Sequence, residues 1–120
     1  MKEIAYINCI GLAGGELKHG TLALVDENSL VIAISTQKKL KEKMESNIQE
    51  VKARGGKILL VSNFEHSIEV DYFLQLPEFE EFLMPIVSIT TLQLMAFNYA
   101  VKLGYNPDKP RNLAKSVTVE

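Results

Sequence analysis

Leu30-Val31-Ile32-Ala33-Ile34-Ser35 and Lys57-Ile58-Leu59-Leu60-Val61-Ser62 are the two runs whose reading decides the fold. A strand with one wet face alternates polar and apolar residues. These runs do not alternate, and they read as strands covered on both faces, the habit of a parallel sheet. Between them Leu40, Met44, Ile48 and Val51 recur every three or four residues and form the single apolar stripe of an amphipathic helix. Lys38–Glu42 and Lys41–Glu45 stand at i,i+4 on its wet side. Ser35 or Thr36 can cap the start of that helix. Gly55-Gly56 ends it, because glycine accepts the left-handed conformation that closes a helix. Strand, helix, strand in this order is a right-handed parallel crossover.

Working outward, residues 8–12 read as a short strand, and Gly14-Gly15 opens a short helix from Glu16 to about Ala23. Residues 63–71 read as loop or one short turn. Tyr72-Phe73-Leu74-Gln75-Leu76 is a third strand, stopped by Pro77. A long helix is expected from about Phe79 to Leu103, with Pro85 near its first turns and Gly104 at its end. Residues 105–120 hold Pro107 and Pro110 and no helical period, so they read as a tail. The expected fold is α/β, a three-layer parallel sheet between helices. Ligands in such sheets gather at the carboxyl ends of the strands. That directs attention to the loops after Leu12, Ser35 and Ser62.

A chain of 120 residues, 47% hydrophobic and 23% charged, suits one soluble domain or part of one. The net charge of -2 comes without a basic block. Lys38, Lys39, Lys41 and Lys43 are interleaved with Glu42 and Glu45 as a solvated face, which argues against nucleic acid as a partner. The single cysteine, Cys9, excludes an internal disulfide and fits a reducing, cytoplasmic setting. It sits in an apolar run and reads as a buried, inert thiol. No signal-peptide pattern opens the chain. Residues 82–101 carry no charge over about the length that spans a bilayer. They also hold Pro85, Ser88, Thr90, Thr91, Gln93 and Asn98, so a helix buried against a sheet or a partner subunit is expected rather than a membrane span.

Pattern alone assigns little chemistry. No Gly-rich phosphate loop is present. His19 and His66 stand apart, one cysteine supports no zinc site, and no Ser–His–Asp order follows from spacing. His19 lies in Gly14-Gly15-Glu16-Leu17-Lys18-His19-Gly20. The glycines allow close approach of backbone to a ligand. A tight turn carrying a surface histidine explains the same residues. Glu3 and Lys115, near the two ends, read on spacing as solvated terminal residues.

Two segments add more. The run from Ala13 through Gly14-Gly15-Glu16-Leu17-Lys18-His19-Gly20 to Leu24 resembles the second sugar isomerase (SIS) subdomain of the glutamine–fructose-6-phosphate aminotransferases, or glucosamine-6-phosphate synthases. The tail Lys109-Pro110-Arg111-Asn112-Leu113-Ala114-Lys115-Ser116-Val117-Thr118-Val119-Glu120 resembles the end of the same enzymes. Ser46-Asn47-Ile48-Gln49-Glu50-Val51, Arg54-Gly55-Gly56, Pro85-Ile86-Val87 and Leu92-Gln93-Leu94 are similar as well. The resemblance covers essentially the whole chain and implies a flavodoxin-like SIS subdomain over residues 1–104, lacking its first strand and helix. Residues 105–120 are then an active-site tail. The implied activity is conversion of fructose 6-phosphate to glucosamine 6-phosphate. Lys115 matches the lysine that forms a Schiff base with the ketose, with Ala114 beside it at the substrate. That role needs a neutral amine, hence a pKa well below its free value of about 10.4. Glu3 matches the glutamate that moves a proton between the first two sugar carbons. His19 matches a histidine that assists ring opening and comes from the neighbouring subunit, which implies a homodimer. No metal or organic cofactor is expected, since the lysine does the covalent work.

The chain departs from the family at Asn8, Ile10, Leu12 and Thr21, where histidine, glutamate, tyrosine and proline are common. Glu3, His19 and Lys115 are kept. The family's phosphate loops, its glutaminase domain and the first strand of this subdomain would lie before Met1. An unpaired sheet edge is therefore expected. So is a chain nearly inactive until it joins an upstream isomerase segment. A non-catalytic sugar-phosphate-binding or regulatory module is the alternative. A related deglycase or isomerase fits the tail less well.

Overall fold

A computed structural model describes residues 1–111. Ala114 and Lys115, the expected tail residues of the site, lie outside the described residues. The chain divides into two compact units, one of Leu12–Ser88 and one of Met1–Gly11 with the chain from Ile89 onward.

The larger unit is built on three parallel strands, β1 (Leu30–Ser35), β2 (Lys57–Ser62) and β3 (Tyr72–Gln75), in the spatial order β1-β2-β3. Leu30 stands opposite Lys57 and Ser35 opposite Ser62, so β1 and β2 end together. The crossover helix is α2 (Lys41–Lys52), which turns Ile48 and Val51 into the core. They meet Ala33, Ile58 and Leu60 from one sheet face, with Leu17 and Leu22 from the segment before β1. Burial on the other face is uneven: Val61 is fully buried, whereas Ile34 is 41% exposed.

The two glycines after α2 have different physical jobs. Gly55 adopts φ +83, the left-handed step that stops a helix. Gly56 leaves room: a Cβ there would lie 2.7 Å from both Val25 Cγ1 and Val51 Cγ1. Among the described residues the outer edge of β1 is unpaired, as expected for a sheet lacking a strand.

In the smaller unit α1 (Lys2–Ala5) is a single turn closed by Tyr6 at φ 57. The long helix α3 (Met84–Lys102) begins in the larger unit and ends in the smaller one. Pro85 occupies its first turn, where a missing N–H costs nothing. Gly104, at φ +81, closes it, and Tyr105 N donates to Ala100 O at 3.0 Å. Met84, Ser88, Ala96 and Ala100 are buried in an i+4 stripe. Phe82, Ile86, Ile89 and Leu94 are more than half exposed. By length and composition this segment is apolar enough to cross a membrane, and only 17% of its apolar window is buried. The expected burial of the helix is thus confined to one stripe.

Five local expectations are corrected. Residues 8–12 form no strand, because no ladder pairs their backbone groups. Cys9 is consequently exposed. The short helix from Glu16 becomes two 3-10 turns, Gly14–Lys18 and Thr21–Leu24, split by Gly20 at φ +120. Eight residues interrupted by glycine are too few to sustain an α-helix. Neither Ser35 nor Thr36 caps α2, since a 3-10 turn, Lys38–Leu40, intervenes and the N-cap is Leu40. The long helix starts at Met84 rather than Phe79, after a 3-10 turn at Glu81–Leu83.

Gly56→Ala forces a methyl group into two valines and is expected to destabilise the fold by about 1–3 kcal/mol. Gly15→Ala, with nothing within 4 Å of the added carbon, is expected to stay within about 0.5 kcal/mol of the parent. Urea unfolding midpoints of the two variants check the contrast.

Candidate functional site

The Gly14–Gly20 turn places His19 by fixing its neighbours. Leu17 is buried in the core and anchors the turn. Lys18 reaches α2, its Nζ 2.9 Å from Glu50 Oε1. That contact, with Arg54 adding a weaker one, holds the Glu50 carboxyl below its ordinary range. Gly14 packs closely on α2: a Cβ there would sit 3.0 Å from Asn47 Nδ2, which would have to give by a few tenths of an ångström. With Leu17 inward and Lys18 tied sideways, His19 N donates to Glu16 O at 3.0 Å and the side chain is left exposed. A cleft of about 360 Å³ beside the turn is lined by Gly14, Gly15, Lys18, Met44 and Asn47.

Glu3 lies in the first turn of α1 and is exposed. It belongs to the smaller unit, and His19 to the larger one. Ala114 and Lys115 lie outside the described residues. Among the described residues, Tyr105 and Arg111 both contact one side chain near the start of the chain. Tyr6, directly after α1, holds Tyr105 edge-on with ring centroids 4.9 Å apart. Arg111 N donates to Tyr6 Oη at 2.8 Å, and the Arg111 guanidinium lies 4.0 Å from the centre of the same ring.

At the carboxyl ends of the strands, where a parallel sheet collects ligands, a cleft of about 590 Å³ opens. Thr36, Lys38 and Asn63 line it with Glu78, Phe79 and Glu81. Lys38 and Glu78 face each other at 3.1 Å, both well exposed, so the pair adds little stability. Asn63 Oδ1 is buried without a hydrogen-bond partner among the described residues.

Sequence spacing misses a second constellation behind that cleft. Ser62 Oγ lies 3.2 Å from His66 Nε2, and His66 Nδ1 lies 3.1 Å from Glu45 Oε1. Ser62 also donates to Phe64 O at 3.0 Å, and Ser67 N donates to Glu45 Oε1 at 2.8 Å. The order serine, histidine, carboxylate suggests nucleophilic chemistry, but Ser62 is fully buried and the His66 side chain is 2% exposed. No substrate reaches that hydroxyl. The array instead ties the loop after β2 to α2. Ser62 and His66, four residues apart at a strand end, were the only signal in the sequence, and nothing in it placed Glu45 nearby.

Burial pushes His66 below its ordinary 6.5, against the opposing pull of Glu45. The Ser67 N–H, chiefly, holds Glu45 below its ordinary 4.5. For His66 the unfolded chain takes up the proton more readily. Its contribution is therefore full above about pH 6.5 and is lost as pH falls through that value towards the folded pKa. Glu45 contributes above about pH 4.5, and its share is lost as pH falls through its folded pKa. Urea midpoints are expected to decline between pH 7 and pH 5, and to decline less in His66→Gln. An equally steep decline in the variant would remove His66 as the cause.

The model of the SIS domain family matches residues 1–103. A glutamine–fructose-6-phosphate aminotransferase (isomerizing) of Thermococcus kodakarensis is 52% identical across 100% of this chain. That of Clostridium acetobutylicum is 48% identical across the same span. In both cases this chain covers 20% of the relative's length, so it spans about a fifth of the curated relatives it matches. Among solved structures, the C-terminal domain of glucosamine-fructose-6-phosphate aminotransferase from Francisella tularensis aligns with TM-score 0.83 at 38% identity. The alignment covers 90% of this chain and 31% of that one.

Proposed function

The chain belongs to the SIS domain family, and on that premise we propose that it is the C-terminal part of an isomerising glutamine–fructose-6-phosphate aminotransferase. It acts on fructose 6-phosphate in amino-sugar biosynthesis once assembled with the upstream isomerase segment. The observation that carries this reading is identity of about one half sustained over the whole chain.

The chemistry follows from three side chains. The Lys115 amine adds to the carbonyl of the opened ketose and expels water, giving a Schiff base. Glu3, exposed on its single helical turn, moves a proton between the first two sugar carbons. His19, on its anchored turn, exchanges the proton needed to open the ring, in a partner copy's site. A homodimer in the cytoplasm suits this arrangement. The apolar surface of α3 then packs against protein rather than lipid. A second reading, a non-catalytic sugar-phosphate-binding module, is favoured by Ile10, which sits 64% exposed where the family commonly has glutamate.

Mixing the 120-residue chain with the upstream isomerase segment separates the two. Light scattering on the eluted material is expected to show a defined complex that turns over fructose 6-phosphate. Lys115→Ala in that complex is expected to lower kcat by at least about 100-fold with assembly unchanged. A soluble complex without turnover favours the binding module.

A further inference from the structure

We propose that Tyr6 is a positioning residue, the point at which the root of the C-terminal tail is docked onto the end of the helix that carries Glu3. The inference rests on the reading of Glu3 and Lys115 given above. Three contacts from the tail root converge on this one side chain: the Tyr105 ring edge, the Arg111 backbone N–H on the phenol oxygen, and the Arg111 guanidinium over the ring face. They use the hydroxyl and the aromatic ring of Tyr6 together, a combination that phenylalanine and the aliphatic residues cannot supply.

The backbone supports the same conclusion. Tyr6 is the one described non-glycine residue at positive φ. A bulky side chain in that region is strained, and such strain persists where surrounding contacts hold it. Tyr6 N donates to Lys2 O at 3.1 Å, so the left-handed step both closes α1 and sets where the ring emerges. Glu3 is three residues before this step, and Lys115 four residues after Arg111. One residue therefore sits between the helix bearing the proton-transfer carboxylate and the chain bearing the amine.

The test uses the full 120-residue chain and its complex with the upstream segment. Alanine at position 6 carries the same Cβ strain as tyrosine, so Tyr6→Ala isolates the ring. Trypsin cleavage after Arg111 is expected to accelerate about tenfold in Tyr6→Ala and only about threefold in Tyr6→Phe, which loses the hydroxyl but keeps the ring. In the complex, Tyr6→Phe is expected to lower kcat about threefold and Tyr6→Ala about tenfold, with KM and the assembled fraction unchanged. Fewer complexes at unaltered kcat would mean a structural role only and overturn the inference. So would wild-type cleavage rates in Tyr6→Ala. An accelerated cleavage beside a wild-type complex that never turns over would retain the docking and overturn the catalytic reading instead.

Discussion

The in-step parallel pairing of β1 and β2 is the constraint on which the larger unit depends. Because Ser35 and Ser62 stand opposite each other, both strands release the chain at the same level. Thr36 and Asn63 therefore enter one cleft, and the loop after β2 turns back on α2 through His66 and Glu45. The pairing itself requires the crossover to close tightly. Gly55 and Gly56 make that possible, one by its left-handed backbone and the other by the side chain it lacks. The Gly14–Gly20 turn inherits its position from the same core, since Leu17 packs where Ile48, Ile58 and Leu60 meet.

What the sequence made legible were features that one segment decides by itself. Unbroken apolar runs gave β1 and β2 their parallel, buried reading, and the Leu40–Val51 stripe gave α2. The misreadings came where a second segment decides. Residues 8–12 have strand composition but no neighbour to pair with, so Cys9 is exposed. The segment from Glu16 has helical residues, but Gly20 interrupts it before an α-helix is established. In the candidate site, the His19 turn was visible as a motif. The Ser62–His66–Glu45 array was not, because Glu45 lies 21 residues from His66 on another element.

The α3 surface shows how a family relation and a physical anomaly explain each other. A water-exposed helix normally carries polar residues on its outer face. Here Ile86, Ile89 and Leu94 stand more than half exposed, and the β1 edge is unpaired among the described residues. Both are unusual in a self-sufficient domain, where apolar patches and strand edges are covered. Both are ordinary in a chain that spans a fifth of its relatives' length.

The contacts at Tyr6 extend that logic to the chemistry. Under the proposed function, an amine and a carboxylate acting on neighbouring sugar carbons have to be held in register to within a fraction of an ångström. A single helical turn and a chain terminus are each poor supports alone. Tyr6 joins the end of α1 to Arg111 across 105 residues, through its hydroxyl and its ring, from a left-handed backbone. No periodicity in the sequence encodes such a contact. It depends on one backbone dihedral at Tyr6 and on Tyr105 and Arg111 arriving beside it, so it emerges only when segments a hundred residues apart are seen together.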